Sequence, residues 1–196
     1  MPAERRKGPI YLLSWLLPLH LSQSRFGDRP EPSNACTIIS LHMIDLVHRN
    51  DVQLPYHRAN LDWELPPPKK SPFPSPELHN AHKLAPFART FPRLIRRAIA
   101  SSAHCHLSRL YFVLLYAQRA VMVVYDRNTQ MLALFDSHTH RTYDGRRQRQ
   151  VGGAVGTAHI DQLASFTTWI GLMIFPESRK GSQVRSLWFT SGEGAT

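Results

Sequence analysis

Two cysteines are all that this chain of 196 residues contains. That is too few for a disulfide framework, so the small secreted scaffolds stapled by several bridges are excluded and free thiols in a reducing compartment are expected. Long apolar runs are missing too. None approaches the roughly 18 consecutive apolar residues of a membrane-spanning helix, so no transmembrane segment is expected. Acidic residues are scarce: 14 Asp+Glu stand against 24 Lys+Arg, giving a formal net charge of +10 with the 11 His neutral. Such a surface attracts nucleic acid, acidic lipid or an acidic protein patch, without choosing among them. Neither Cys-x-x-Cys nor His-Glu-x-x-His occurs. His104, Cys105, His106, His138 and His140 offer ligand atoms, yet neighbours on one strand point to opposite faces, so no metal or other cofactor is expected.

What is present is enough for a core. Hydrophobic residues make up 42% of the chain and four are Trp, as in an ordinary globular domain. The opening MPAERRKGPIYLLSWLLPLHLSQS has a basic start, a short apolar stretch and small residues at Ser22 and Ser24, which is signal-like. Pro9, Trp15, Pro18 and His20 interrupt that pattern. Residues 1–21 are therefore read as an arm or signal-like segment, 22–190 as one domain and 191–196 as a tail. An intracellular setting, cytoplasm or nucleus, is expected, with secretion the alternative.

The spacing predicts a helix over 35–48, from Ile38, Ile39, Leu41, Ile44 and the Leu46–Val47 pair. LPPPKKSPFPSP, residues 65–76, is a Pro-rich insertion suited to a polyproline II loop. A second helix is expected over 87–103, with Pro92 near its first turn and Arg93, Arg96 and Arg97 on an exposed basic side. His104 and His106 belong on the solvent side of its end. YFVLLYA, RAVMVVYD and MLALFD read as strands, with DRNTQ a turn. Residues 144–156 read as an exposed basic loop, 160–172 as a helix and SLWF as a short strand. The class is α+β, an N-terminal helix carrying a Cys packed against an antiparallel sheet.

Cys36 stands at the start of the first helix, behind Ser33 and Asn34, both good N-cap residues. A thiol there feels the positive end of the helix dipole, and a neighbouring imidazolium lowers its pKa further. In MLALFDSHTH an extended chain puts Leu132, Leu134, Asp136, His138 and His140 on one face. Asp136 could then fix the tautomer of His138, as the acid of a nucleophile–base–acid triad does. The plainer alternatives are a Cys packed as a small hydrophobe and a surface Asp-x-His pair.

The residues QSRFGDRPEPSNACTIISLHMI together with LALFDSHTH resemble the deubiquitinating cysteine peptidases at the N-terminus of herpesvirus large tegument proteins. GTAHIDQL, an Ala-His-Ile helix start after a glycine-containing loop, is similar as well, so the likeness touches about 22–48 and 120–173. It implies a papain-like domain that cleaves the isopeptide bond after the ubiquitin C-terminus. Gln23, Phe26–Gly27 and Cys36 would match the family's Gln, Phe-Gly and nucleophile, and Phe135, Asp136 and His138 its Phe-Asp-x-His. His138, rather than His140, would then be the base, and Gln23 would donate to the oxyanion. The family usually has Pro where this chain has Ser137. Viral origin does not follow, because cellular proteins could share the Asn-Ala-Cys helix start.

The partner implied is ubiquitin or a ubiquitin-like protein. Its basic tail calls for a locally neutral or acidic cleft, for which Glu31, Asp45, Asp51, Asp62 and Glu64 are available. Two rivals remain open. One is a nucleic-acid-binding module without catalytic activity, using Arg89, Arg93, Arg96, Arg97, Arg141, Arg146, Arg147 and Arg149 on phosphates. The other is a catalytically inactive ubiquitin-binding domain of the same fold.

Overall fold

The computed structural model describes residues 12–25, 35–54, 69–70, 85–116, 118–144, 147–175 and 185–189. Apolar alternation builds its centre. In strands β3 (Arg109–Tyr116), β4 (Arg119–Asp126) and β5 (Met131–Asp136), successive side chains point to opposite faces and nearly all are buried. Such near-continuous apolar strands need cover on both sides. Strands β1 (Leu13–Leu16), β2 (Lys69–Lys70), β8 (Ala154–His159) and β9 (Arg185–Phe189) complete an antiparallel sheet in the order β2-β1-β8-β5-β4-β3-β9. Between β5 and β8 the chain makes a separate hairpin, β6 (His140–Asp144) and β7 (Arg147–Val151).

Helix α1 (Cys36–Arg49) covers one face of the sheet, and α2 (Ala85–Ala100) with α3 (Leu163–Trp169) covers the other. The core under α2 and α3 is built from Phe91, Ile95, Phe112, Leu114, Val121, Val123, Leu132, Leu134, Phe166 and Ile170. Each such side chain contributes about 1.5–3 kcal/mol on leaving water. Under α1 lie Tyr111, Met122, Val124, Met131 and Ala133, joined by Val47 from the helix itself. Gly156 has a packing role: a Cβ there would sit 2.5 Å from the Trp169 indole, so β8 admits this ring only as glycine.

Several expectations are met and several are corrected. The α+β class holds, as does a Cys-bearing helix packed on an antiparallel sheet. The buried stripe of α1, however, runs through Cys36, Ser40 and Val47, whereas Ile38, Leu41 and Leu46 face solvent. Pro92 lies in the middle of α2 and is buried beside Phe91. Packing of the Phe91–Ile95–Ala98 stripe outweighs the lost backbone bond there. Residues 144–156 are not a loop: they contain β7, the end of β6 and the start of β8. The helix expected over 160–172 is three pieces, a 3₁₀ turn at Ile160–Gln162, α3, and a π-helical stretch at Ile170–Ile174. Within the segment read as an arm, Leu13–Leu16 pairs with β8 as a sheet strand. Of the Pro-rich insertion, only Lys69–Lys70 lies among the described residues, at a sheet edge where prolines nearby do least harm. The tail at 191–196 lies outside them. Among the described residues, no helix is long and apolar enough to cross a membrane.

Candidate active site

Register brings the ends of several strands together. Phe135 pairs with Met122, and Asp136 pairs with Ala154, which is itself opposite Leu16. The end of β5, the starts of β4 and β8 and the end of β1 therefore share one end of the sheet. Helix α1 begins at the same end. Its first residue, Cys36, packs on Val113 and Ala120, and its thiol donates to the Gln118 carbonyl across 3.8 Å. Gln118 lies between β3 and β4 with φ of +64°, the left-handed conformation of a tight turn. One turn along α1, Ser40 Oγ donates to the Ala120 carbonyl across 3.3 Å.

Past Asp136 the chain leaves the sheet in a bend, so the continuous stripe expected through His140 is broken. Asp136 and His138 meet by a different route. Asp136 Oδ1 accepts from the His138 backbone N–H at 2.9 Å and faces His138 Nδ1 at 2.5 Å. His140, which opens β6, brings its Nε2 to 2.9 Å from Asp136 Oδ2, an ion-pair distance without hydrogen-bond alignment. Asp136 is fully buried between two imidazoles. Burial works against its ionisation, but the His138 hydrogen bond and the close approach of both imidazoles outweigh that and hold its carboxyl well below the usual carboxylate range.

Gln23 reaches the same place from the other side. Residues 17–25 form a compact turn against the β7–β8 connection. Leu17 N–H donates to the Gly153 carbonyl at 2.8 Å, and Gly152 N–H returns a bond to the Leu17 carbonyl at 2.8 Å. A Cβ on Gly153 would lie 2.5 Å from the Asp136 carbonyl oxygen, so glycine allows this close approach. Gln23 N–H then donates to the Ser137 carbonyl at 2.8 Å, and Ser137 Oγ donates to Gln23 Oε1 at 3.0 Å.

Three of the four expected site residues, Gln23, Asp136 and His138, are thus joined through Ser137 and the Asp136 carboxylate. Cys36 comes to the same end of the sheet, on the α1 face. Among the described residues no hydrogen bond links its thiol to His138; its partner is the Gln118 carbonyl. Both Cys36 and Cys105 are free thiols, the first buried and the second exposed. Residue Ala35, rather than Ser33 or Asn34, occupies the N-cap of α1 and makes no side-chain cap bond. As the first helical residue, Cys36 has an N–H with no acceptor inside the helix.

Ser33, Asn34, Phe26–Gly27, Glu31, Asp62 and Glu64 lie outside the described residues. Asp45 and Asp51 do not supply an acidic cleft: they pair with Arg49 at 2.7 Å and with Arg109 at 2.9 Å. Both sit towards the far end of α1, a helix that rises ~1.5 Å per residue away from Cys36. Among the described residues, no group of three or more His, Cys, Asp or Glu is placed to hold a metal ion. Arg93, Arg96, Arg97, Arg141 and Arg149 are exposed.

The sequence marks Ser137 only as a departure from the family's Pro, with no role at the site, and sets His140 aside in favour of His138. The signal for both lay in the crowding of polar residues after LALF, where a core strand has no reason to end in Asp-Ser-His-Thr-His. Comparison with family models, with curated proteins and with solved structures finds no match to this chain.

Proposed function

We propose that this chain is a papain-like cysteine peptidase that removes ubiquitin or a ubiquitin-like modifier by thiolate attack on a glycine-ended isopeptide bond. The observation that carries the reading is the Asp136–His138 pair. A fully buried carboxylate fixes Nδ1 of the ring and turns Nε2 towards other partners. Gln23 is held beside that pair, and Cys36 opens a helix at the same sheet end. The resemblance of QSRFGDRPEPSNACTIISLHMI and LALFDSHTH to the herpesvirus tegument deubiquitinases supplies the substrate class.

In the first step the thiol proton passes to His138 Nε2 and the Cys36 sulfur bonds to the glycine carbonyl carbon. The oxyanion that forms is met by the Gln23 side-chain amide and the Cys36 backbone N–H, each such donor being worth about 3–4 kcal/mol. The C–N bond then breaks, and the lysine amine leaves with the proton from His138. Water attacks the thioester, gives its proton to His138, and releases the modifier's carboxylate and the Cys36 thiolate. Asp136 keeps the ring in one tautomer throughout. Free thiols accord with a cytoplasmic or nuclear setting.

A second reading rests on the burial of Cys36 and its bond to Gln118. It keeps the fold and assigns only ubiquitin binding. A ubiquitin C-terminal electrophile separates the two. Covalent labelling of the native chain, lost in Cys36→Ala, is the expected result. Ubiquitin binding without labelling selects the inactive domain. Salt-sensitive retention on DNA or RNA without either selects a nucleic-acid module acting through the exposed arginines.

A further inference from the structure

Residue 137 lies between the acid and the base, and it is bonded twice to residue 23. The main-chain bond, Gln23 N–H to the Ser137 carbonyl at 2.8 Å, fixes where residue 23 sits. The side-chain bond, Ser137 Oγ to Gln23 Oε1 at 3.0 Å, anchors the amide group itself. A glutamine amide is two-ended: its oxygen only accepts and its NH₂ only donates. Rotation by half a turn exchanges the ends at almost no steric cost, and a serine hydroxyl, donor and acceptor at once, can hold either end. An oxyanion needs the donor end, and an amide presenting its oxygen there would repel the developing charge.

We infer that Ser137 is a positioning residue for Gln23, its hydroxyl holding the side-chain amide in place beside the Asp136–His138 pair, where the oxyanion forms. Both side chains are buried, Ser137 at 5% and Gln23 at 8% exposure, so water competes weakly for the bond. A residue without a hydroxyl at 137 keeps the main-chain bond and loses the anchor of the side-chain amide. The inference rests on the peptidase reading above and adds to it a residue that never touches substrate.

The test compares wild type, Ser137→Ala, Ser137→Thr, Gln23→Ala and the Gln23→Ala/Ser137→Ala double variant on a fluorogenic amide of the ubiquitin C-terminus. Ser137→Ala is expected to lower kcat about tenfold with KM within about twofold, because the lost contact acts on the transition state alone. Ser137→Thr restores kcat. In the Gln23→Ala background the Ser137 substitution is expected to cost less than about twofold, since no amide is left to hold in place. Iodoacetamide alkylation of Cys36, which forms no oxyanion, stays at the wild-type rate in Ser137→Ala. Equal losses in both backgrounds, or alkylation falling in step with kcat, overturn the inference and leave the peptidase reading standing. A wild type that neither hydrolyses the amide nor takes the electrophile overturns both.

Discussion

Asp136 Oδ1 serves two donors of a single residue, the ring Nδ1 of His138 at 2.5 Å and its backbone N–H at 2.9 Å. One oxygen therefore sets the path of the chain after β5 and the orientation of the imidazole it carries. Replacing the carboxylate by an amide keeps an acceptor for the backbone bond and removes the charge that stabilises imidazolium. Asp136→Asn is expected to lower kcat on the ubiquitin amide by about 100-fold or more, with the fold retained by circular dichroism. A loss of less than tenfold would mean that the pair is structural.

The same carboxylate makes a pH prediction. Its pKa is lowered on folding, so its stabilising contribution is complete above the unfolded Asp value of about 3.9 and is lost as pH falls through the lower folded value. In urea titrations Asp136→Asn should cost about 2 kcal/mol at pH 7. The gap between variant and wild type should narrow as pH drops below about 4. A gap that widens on acidification would show that the native carboxyl is protonated.

How much of this was legible in the sequence depends on what each segment packs against. Strands β4 and β5 match the reading residue for residue, Arg119–Asp126 and Met131–Asp136. Their β-branched and aromatic runs, bounded by the DRNTQ turn, have one solution. Strand β7 and the start of β8 read as loop because RQRQV has no core face to signal and AVGTAH is built from small residues. Those small residues are the consequence of a partner far along the chain, Trp169 against Gly156, and no local window shows it. At the site, Cys36, Asp136, His138 and Gln23 were named from sequence. The link between Gln23 and Asp136 was not legible, because it runs through a serine and a glycine whose neighbours are set by the fold.

Gly153 is the test of that link. A methyl group there would meet the Asp136 carbonyl at 2.5 Å and the Leu21 carbonyl at 3.3 Å, and backbone on both sides cannot swing aside as a side chain would. Gly153→Ala is expected to push the 17–25 turn away from β5, costing roughly 1–3 kcal/mol of stability. It should also lower kcat on the ubiquitin amide, since Gln23 rides on that turn. If urea titration shows the loss and kcat does not move, the turn does not deliver a catalytic group.

Away from the site, Arg109 ties α1 to the sheet. Its Nε donates to Asp126 Oδ2 at 2.9 Å, its Nη2 pairs with Asp51 at 2.9 Å, and its Nη1 reaches the Val47 carbonyl at 3.5 Å. Asp126 and Arg109 are both buried, whereas Asp51 is 79% exposed, so the two ion pairs differ in weight. Burial disfavours the Asp126 charge, but the Arg109 hydrogen bond and the Thr129 amide outweigh it and lower its pKa. Removing Arg109 leaves that charge buried with the turn amides alone. Arg109→Met is expected to cost about 3–5 kcal/mol in urea unfolding. Asp51→Asn should cost less than about 1 kcal/mol, as exposed pairs do. Asp126→Asn keeps an oxygen for the Asn128 and Thr129 amides, which Asp126 Oδ1 accepts at 2.9 and 3.0 Å. Added to Arg109→Met it removes the stranded charge, so the double variant should be more stable than Arg109→Met by about 1–2 kcal/mol. Additive losses in that cycle would show that the two side chains act independently and that the helix is held by its apolar face alone.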